Sequence, residues 1–265
     1  MKMLKKIIPI LVAVFLLPAL ANAQERVVIP LTNPGEPGSL SVEVIMGSVS
    51  VTGYDGKEVI IKYSGGQMKE EPQKVTEEGL RRISDNAIGF EVTEENNHVE
   101  IEGSPMQSVD FEISVPRNFS LNLSSVNGSL HVQDVAGEIE LEAVNGEVSL
   151  RNINGSALVN TVNGNITAVF DDVPPNKPMA FTNLNGDIDI TLPANASFNA
   201  KMKSEWGEVY TNFEMNIRTE DKPKSSTDDG IYKVSVNNWI YGTVNGGGPE
   251  YLFKSLRGDI YIRKK

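Results

Sequence analysis

The sequence predicts an all-β protein, a parallel β-solenoid built on nine-residue Asn-Gly half-coils with roughly two half-coils in each coil. Two observations predict this fold. Five contiguous copies of one nine-residue motif begin at Val126, Val135, Val144, Ile153 and Val162. In every copy a glycine precedes a short run in which apolar and polar residues alternate, which is the pattern of a strand with one buried face.

Each position of the motif has a structural interpretation. The first is always Val or Ile, and the fifth and seventh are apolar as well, so we expect all three to be buried. The third is always glycine and is usually preceded by asparagine. Because both residues tolerate positive φ, the pair predicts a sharp corner before each strand. The predicted corner glycines are Gly128, Gly137, Gly146, Gly155 and Gly164, with Gly186 and Gly258 in later copies.

Closely spaced Asn-Gly corners also fit a second arrangement. Asn-Gly is the strongest short signal for a hairpin, so an antiparallel meander is the alternative. The coil is favoured because glycine recurs before every strand in the same phase, and because the first position would stack into a column. Each unit is too small to bury its own apolar side, so neighbouring coils must supply the core. We therefore expect Val135, Val144 and Val162 to point inward.

Residues 1–23 are predicted to form a secretory signal peptide. Three early lysines precede the apolar run Ile7–Leu20, and Ala21-Asn22-Ala23 is a small-residue cleavage site. The apolar run is too short for a comfortable membrane span, and no transmembrane segment is expected after cleavage. The chain is therefore expected to be exported, to the periplasm or the cell surface.

The remaining chain is predicted to contain a degenerate N-terminal β-repeat region at 24–116, and a regular β-solenoid with a C-terminal cap at 117–265. The first region holds a charged excursion at 68–86, and a separate small β-domain before Pro116 is the alternative. Beyond Phe170 the copies are spaced more widely, which predicts one coil with an enlarged loop in each interval. The polar segment Asn216–Asp229 is predicted to be a mobile loop.

The repeat resembles the bacterial putative-adhesin family, a β-strand repeat domain. The resemblance rests on the Val-Asn-Gly units that begin at 126, 144 and 162, on the Asn-Gly-Asp-Ile of 185–188, and on the segments Val244–Gly248 and Leu256–Ile260. It covers roughly residues 39–263. The resemblance implies a right-handed β-solenoid, export from the cytoplasm and no established catalysis, and it supplies no catalytic residues.

The composition narrows the functional classes. The chain contains no cysteine, which excludes disulfides, thiolate metal ligands and cysteine catalysis. The formal net charge of −11 argues against nucleic acid as a partner, because phosphate binding needs a basic surface. Two histidines are too few for a zinc site built of several histidines. We expect no cofactor and no metal, with one isolated calcium site near Asp187 and Asp189 as the alternative.

A row of carboxylates bears on catalysis. Glu138, Glu140 and Glu142 alternate with apolar residues and share one outward face, and Glu147 is expected next in the column of Glu138. Facing carboxylates serve glycoside hydrolases. Outward charges also keep strands soluble and discourage edge pairing, and we favour this interpretation because no partnering base repeats with them.

Aromatic residues are concentrated near the C-terminal end of the sequence. The candidate ligand-binding residues are Trp206, Tyr210, Trp239, Tyr241 and Tyr261. Exposed aromatic rings stack on sugars or anchor a protein partner, so a glycan or an envelope protein is the expected ligand. A terminal cap over the open end of the coil is the alternative role.

The sequence thus favours an exported, non-enzymatic β-solenoid scaffold or adhesin-like binding protein of the bacterial cell envelope. The alternative is a polysaccharide-degrading hydrolase or lyase on the same fold. A cleft with facing carboxylates would favour the enzyme. The sequence leaves the oligomeric state open.

Overall fold

A computed structural model describes residues 25–65, 89–219, 224–228, 231–235 and 239–265. The predicted signal peptide and the charged excursion at 68–86 lie outside the described residues. Those ranges contain strands and no helix. The strands are β1 (Glu25–Pro30), β2 (Gly38–Met46), β3 (Val49–Tyr54), β4 (Glu58–Gly65), β5 (Phe90–Glu95), β6 (His98–Gly103), β7 (Val109–Pro116), β8 (Phe119–Asn127), β9 (Leu130–Gln133), β10 (Glu138–Asn145), β11 (Val148–Asn154), β12 (Ser156–Asn163), β13 (Ile166–Asp172), β14 (Met179–Asn185), β15 (Ile188–Leu192), β16 (Phe198–Ser204), β17 (Val209–Thr211), β18 (Asn216–Thr219), β19 (Lys224–Asp228), β20 (Ile231–Ser235), β21 (Ile240–Val244), β22 (Glu250–Arg257) and β23 (Ile260–Lys264).

Two large, mostly parallel sheets enclose the core, which confirms the all-β, solenoid-like class. Sheet A has the order β1-β4-β7-β3-β9-β11-β13-β15-β23-β17. Sheet B has the order β18-β21-β16-β22-β14-β12-β10-β8-β2-β6-β5. The antiparallel pairs involve β1, β4, β5, β18 and β21 near the ends of the sheets, and the separate hairpin β19–β20.

The middle of the chain winds as a coil and does not form a meander. Consecutive strands from β8 to β15 alternate between sheets B and A, and each pairs in parallel with the next strand of its own sheet. The register joins Leu121 to Ile139 in sheet B and Leu130 to Val148 in sheet A. Stacked asparagines of neighbouring coils are 18 residues apart in this region.

At the C-terminal side, the coils do not stack in sequence order. The coil formed by β22 and β23 lies between β14–β15 and β16–β17, in both sheets. Gly207 therefore does not stack on Gly186, because Gly258 lies between the two corners. Aromatic packing explains the order, because Phe253 stacks on Phe181 at 5.6 Å on one side and Tyr251 on Phe198 at 4.7 Å on the other.

The N-terminal side shows the same interleaving. The coil formed by β2 and β3 lies between the β6–β7 coil and the β8–β9 coil. Strand β2 pairs in parallel with both β6 and β8, and β3 pairs in parallel with both β7 and β9. The strands before Pro116 are therefore hydrogen-bonded into the same two sheets as the later repeats.

The first position of the motif is buried only in alternate copies. Val135 and Ile153 are fully buried, whereas Val126, Val144 and Val162 are 38–39% exposed. The prediction that Val144 and Val162 point inward was therefore wrong, and that for Val135 was right. The strands of sheet B keep strict alternation up to the Asn-Gly corner, so the residue after a buried side chain turns outward.

The opposite corner is built differently. Asp134 and Asn152 have φ values of 59° and 54°, in the left-handed region that short polar residues tolerate. This conformation interrupts the alternation, so the next residues, Val135 and Ile153, return to the core. The Asn152 amide also donates a hydrogen bond of 3.1 Å to Asp134 Oδ1 on the preceding coil.

Close backbone approach explains the corner glycines better than positive φ does. A Cβ on Gly128 or Gly146 would lie 1.8 or 2.1 Å from the carbonyl oxygen of the corresponding glycine on the neighbouring coil. Among the predicted corner glycines, a left-handed φ occurs at Gly164, Gly186 and Gly258. Gly137 and Gly155 make the same approach, each at 2.1 Å from a carbonyl oxygen.

The asparagines at these corners form a ladder and do not adopt positive φ. Asn145 Nδ2 donates to Asn127 Oδ1 at 3.1 Å, and Asn163 Nδ2 donates to Asn145 Oδ1 at 2.8 Å. Asn185 continues the row with a 2.8 Å bond to Asn163. A side-chain amide carries both a donor and an acceptor, so identical residues can repeat along the stack.

We expect Asn145→Ala to lower the free energy of unfolding by about 1 kcal/mol, because it removes one ladder bond on each side of the residue. Asn122→Ala is the matched control, an exposed asparagine of the same sheet outside the ladder. Chemical denaturation followed by far-UV circular dichroism measures both. Equal losses for the two variants would contradict a stabilising role of the ladder.

The segment Asn216–Asp229, predicted as a mobile loop, contains strands. Residues 216–219 form β18, which pairs antiparallel with β21, and residues 224–228 form β19, which pairs with β20. The described strand residues alternate polar and apolar side chains only weakly, which explains why the sequence pattern did not reveal them.

Candidate functional site

The outer face of sheet A carries a shallow polar depression. Strands β3, β9 and β11 place two outward side chains each at its floor, and the cavity volume is about 320 Å³. The side chains that define it are Ser50, Thr52, His131, Gln133, Ser149 and Arg151. Hydroxyl, imidazole, amide and guanidinium groups together offer donors and acceptors over a flat surface.

A stacked tyrosine pair lies farther along the same face. Tyr261 projects from β23 and Tyr210 from the neighbouring edge strand β17, with ring centroids 5.1 Å apart and planes 10° apart. The Arg263 guanidinium lies 5.1 Å from the Tyr261 centroid. One face of the Tyr210 ring is turned away from Tyr261, and Tyr210 is an exposed residue. Both tyrosines face outward, as their sixth positions in the repeat predicted.

Hydrogen bonds fix the geometry of this pair. The Tyr261 hydroxyl donates to Asp259 Oδ2 at 3.0 Å, and this bond raises the pKa of Tyr261. The phenol is therefore neutral at physiological pH. Arg263 forms two hydrogen bonds with the Asp189 carboxylate, at 2.7 and 3.0 Å, which also raise the pKa of Arg263.

The aspartates considered for calcium have other partners. Asp189 is paired with Arg263, and Asp187 Oδ1 accepts the backbone N–H of Asp259 at 2.8 Å. Asp171 is 2.5 Å from the Lys265 ammonium. Across the residues that the structure describes, no group of three or more His, Asp or Glu side chains is placed to hold a metal ion.

The five predicted aromatic residues do not share one face. Tyr210 and Tyr261 lie on sheet A, whereas Trp239 and Tyr241 lie at the opposite sheet, beside Lys201 and Arg218 respectively. Trp206 is 78% exposed at the corner between β16 and β17. The sequence suggested one surface because these residues are close in sequence, but a coil sends successive strands to opposite sheets.

The open end of the core near β16 is covered by other residues. Phe213 is buried and packs edge-on against Phe198, with ring centroids 5.6 Å apart. The Met215 sulfur packs against Gly242, and a Cβ added to this glycine would lie only 2.7 Å from the sulfur. Trp206 and Tyr210 are exposed and do not pack over this end.

The glutamate row lies on sheet B. Glu138, Glu140 and Glu142 are exposed on the outer face of β10, as predicted. Glu147 is on the sheet A side, next to β11, so its predicted place in the column of Glu138 was wrong. Nine residues carry the chain to the opposite sheet, and the neighbours of Glu138 in its column are Ser120 and Ser156. Glu138 itself is 2.8 Å from the Lys177 ammonium.

The polar depression was not recognised from the sequence. Its side chains recur at a spacing of two motifs, as in Gln133 and Arg151, or His131 and Ser149. A search for polar positions repeated at twice the motif length would have found them. In the ranges that the structure describes, no helix has the length and hydropathy needed to cross a membrane.

Comparison with known proteins finds a family model that matches part of the chain. Residues 120–239 match the family model described as Toastrack DUF4097. The chain is also similar to the crystal structure of a putative cell adhesion protein from Clostridium sporogenes ATCC 15579, with a TM-score of 0.51 and 14% identity over 91% of this chain and 99% of the other. At that identity the likeness bears on the fold. No curated protein matches the sequence. The matches confirm the family resemblance seen in the Val-Asn-Gly units.

Proposed function

We propose, from the premise that residues 120–239 form a Toastrack domain, that this chain is an exported, non-enzymatic binding scaffold of the bacterial cell envelope. Its ligand is an extended envelope glycan, and the outer face of sheet A binds it. The similar structure is that of a putative cell adhesion protein from Clostridium sporogenes, and this proposal extends adhesion to the present chain.

The observation that carries the proposal is the combination of groups on one flat face. The tyrosine pair supplies an aromatic surface, and the depression with His131, Gln133 and Arg151 supplies hydrogen-bonding groups. Three strand spacings separate β11 from β23 in sheet A, which is about 14 Å at the usual spacing between strands. An extended oligosaccharide reaches across such a distance, whereas a monosaccharide does not.

Two finer features of the fold belong to this proposal. We take the coil to be right-handed, as the resemblance implies, and each coil to consist of two nine-residue Asn-Gly half-coils. The offset of 18 residues between stacked asparagines supports the second feature. Such a scaffold presents its outward residues as regular rows, which suits a repeating polymer as ligand.

We expect the double variant Tyr210→Ala/Tyr261→Ala to weaken glycan binding at least tenfold, since it removes both rings of the stacked pair. Binding of the mature protein to a glycan array and to isolated envelope polysaccharide measures the effect. Trp206→Ala is the control, because Trp206 is exposed but lies at the corner, off the sheet A face. A parallel assay for newly formed reducing ends tests for hydrolysis.

Three results would overturn the proposal. The first is glycan binding that survives the double tyrosine change. The second is release of reducing ends, which would identify an enzyme. The third is the absence of any glycan ligand together with capture of a single envelope protein in a pull-down.

A further inference from the structure

The outer face of sheet B, here called the sheet B face, is acidic at one end and basic at the other. The acidic end lies on β6, β2 and β10, with the exposed residues Glu43, Glu100, Glu102, Glu138, Glu140 and Glu142. The basic end lies on β22, β16 and β18, with Lys254, Lys201, Lys203 and Arg218. Both ends also contain residues of opposite sign. The acidic half contains Lys177, which is paired with Glu138, and the basic half contains Glu250 and Glu205, the latter paired with Lys203.

Between these ends one column of outward residues on the sheet B face is apolar. The register places Leu158, Ala180 and Leu252 side by side on β12, β14 and β22. Leu158 is 43% exposed, and the other two are half-buried. This apolar column lies between Glu140 on one side and Lys201 on the other, so it is flanked by opposite charges.

An exposed aliphatic row runs along one border of this face. Four of its residues precede the ladder asparagines, and Ile45 precedes Met46, which is aligned with Asn127. The row consists of Ile45, Val126, Val144, Val162 and Leu184. The register aligns them in one column across β2, β8, β10, β12 and β14. Water contacts this row along five consecutive strands, which is an unusual cost for a purely solvated surface.

We propose that two copies of this chain associate through their sheet B faces, related by a twofold axis that runs parallel to the strands. This axis reverses the order of the strands, so the acidic end of each copy covers the basic end of the other. Rotation about this axis keeps the aliphatic row at the same border of the interface in both copies, so the two aliphatic rows also meet. The interface is isologous, as a twofold dimer requires.

Charge excludes the other twofold arrangement of these faces. An axis parallel to the long dimension of the sheets would place acidic end on acidic end and basic end on basic end. Like charges brought together across an interface cost several kcal/mol. It would also move each aliphatic row to the border opposite its counterpart. One orientation therefore satisfies both the charges and the apolar row.

The face is large enough for a stable dimer. Eleven strands at about 4.8 Å spacing give a length of about 50 Å, and strands of about six residues give a width of about 18 Å. The resulting area, about 900 Å² on each copy, matches the roughly 800 Å² per partner of a standard interface. Trp239 and Tyr241 lie at the basic end and provide aromatic side chains of the type that dominate such interfaces.

Charge reversal tests the arrangement. We expect Glu140→Lys/Glu142→Lys and, separately, Lys201→Glu/Lys254→Glu to raise the dimer dissociation constant at least tenfold, measured by sedimentation velocity at 50 mM sodium chloride. Mixing the two variants should restore association as a heterodimer, because the changed acidic end of one variant then faces the changed basic end of the other, and the two unchanged ends also face each other. Combining all four changes in one chain should restore the homodimer.

The controls and contrary outcomes are specific. Lys57→Glu and Glu147→Lys reverse charges away from the sheet B face and should leave the dissociation constant unchanged. A wild-type chain that stays monomeric at 100 μM, or reversed variants that fail to pair when mixed, would overturn the proposal. Circular dichroism melts establish that each variant is folded. The glycan-binding proposal does not depend on these results, because its residues lie on sheet A.

Discussion

Replacing Gly146 with alanine is expected to lower the free energy of unfolding by at least about 3 kcal/mol, which places it among the most damaging single changes in the chain. The new Cβ would lie 2.1 Å from the Gly128 carbonyl oxygen on the neighbouring coil. Gly146 does not have a left-handed φ, so backbone strain does not contribute. Relief requires the two coils to separate, which weakens the 3.0 Å hydrogen bonds that Gly128 and Gly146 donate to the next coils.

Substitutions at two other glycines distinguish the effect of a steric clash by the new Cβ from the effect of backbone strain. At Gly89 the added Cβ would meet its nearest atom at an ordinary 3.6 Å, and we expect Gly89→Ala to change stability by less than about 1 kcal/mol. At Gly246 nothing lies within 4 Å but φ is +86°, so Gly246→Ala should cost about 1 kcal/mol through strain alone. Urea denaturation followed by circular dichroism compares the three variants. A loss for Gly146→Ala no larger than that for Gly246→Ala would refute the close-approach explanation.

Replacing Phe181 with alanine should cost about 3–5 kcal/mol, the usual range for removing a buried phenylalanine. Phe181 is fully buried, packs edge-on against Phe170 at 6.1 Å, and stacks on Phe253 at 5.6 Å. The cavity would lie between β14 and β22, which are neighbours in sheet B although β14 ends at Asn185 and β22 begins at Glu250. The surrounding strands are held by hydrogen bonds on both sides, so they cannot collapse into it.

The control for this core variant is Ile217→Ala in the edge strand β18, where the side chain is exposed. We expect this change to alter stability by no more than about 0.5 kcal/mol. Thermal unfolding monitored by circular dichroism, with urea titration for the free energies, measures both. A cost below about 1 kcal/mol for Phe181→Ala would show that the β14–β22 contact does not hold the two coils together.

The motif correctly predicted which side chains are buried at its fifth position. Leu130, Val148 and Ile166, the fifth positions of alternate copies, stack in sheet A and are fully buried. Burial of the first position was harder to predict, because the coil has two different kinds of corner and a nine-residue repeat does not distinguish them. The ninth position carries that difference: it is Asp134 and Asn152 at one corner, and the buried Ala143 at the other.

At the candidate site, too, some features could be predicted from the sequence and others could not. The outward direction of Tyr210 and Tyr261 followed from local alternation, but their stacking did not. It depends on β23 lying next to β17, although some fifty residues separate these strands along the chain. Local patterns state which way a side chain points within its strand. They do not state which distant strand becomes the neighbour, because that choice is made by packing such as that of Tyr251 on Phe198.

The interleaving at 250–264 has a consequence for the time course of folding. A chain emerging from a ribosome or a translocation channel delivers residues 198–211 well before residues 250–264, yet the second segment separates the first from the β14–β15 coil. The coils therefore cannot form one after another in sequence order. The C-terminal end of the two sheets cannot form until residues 250–264 have been inserted. Insertion of this segment is expected to be the slow phase of refolding. Once in place, the late segment can leave only by losing hydrogen-bonded partners on both sides at once, which protects it against unravelling and proteases.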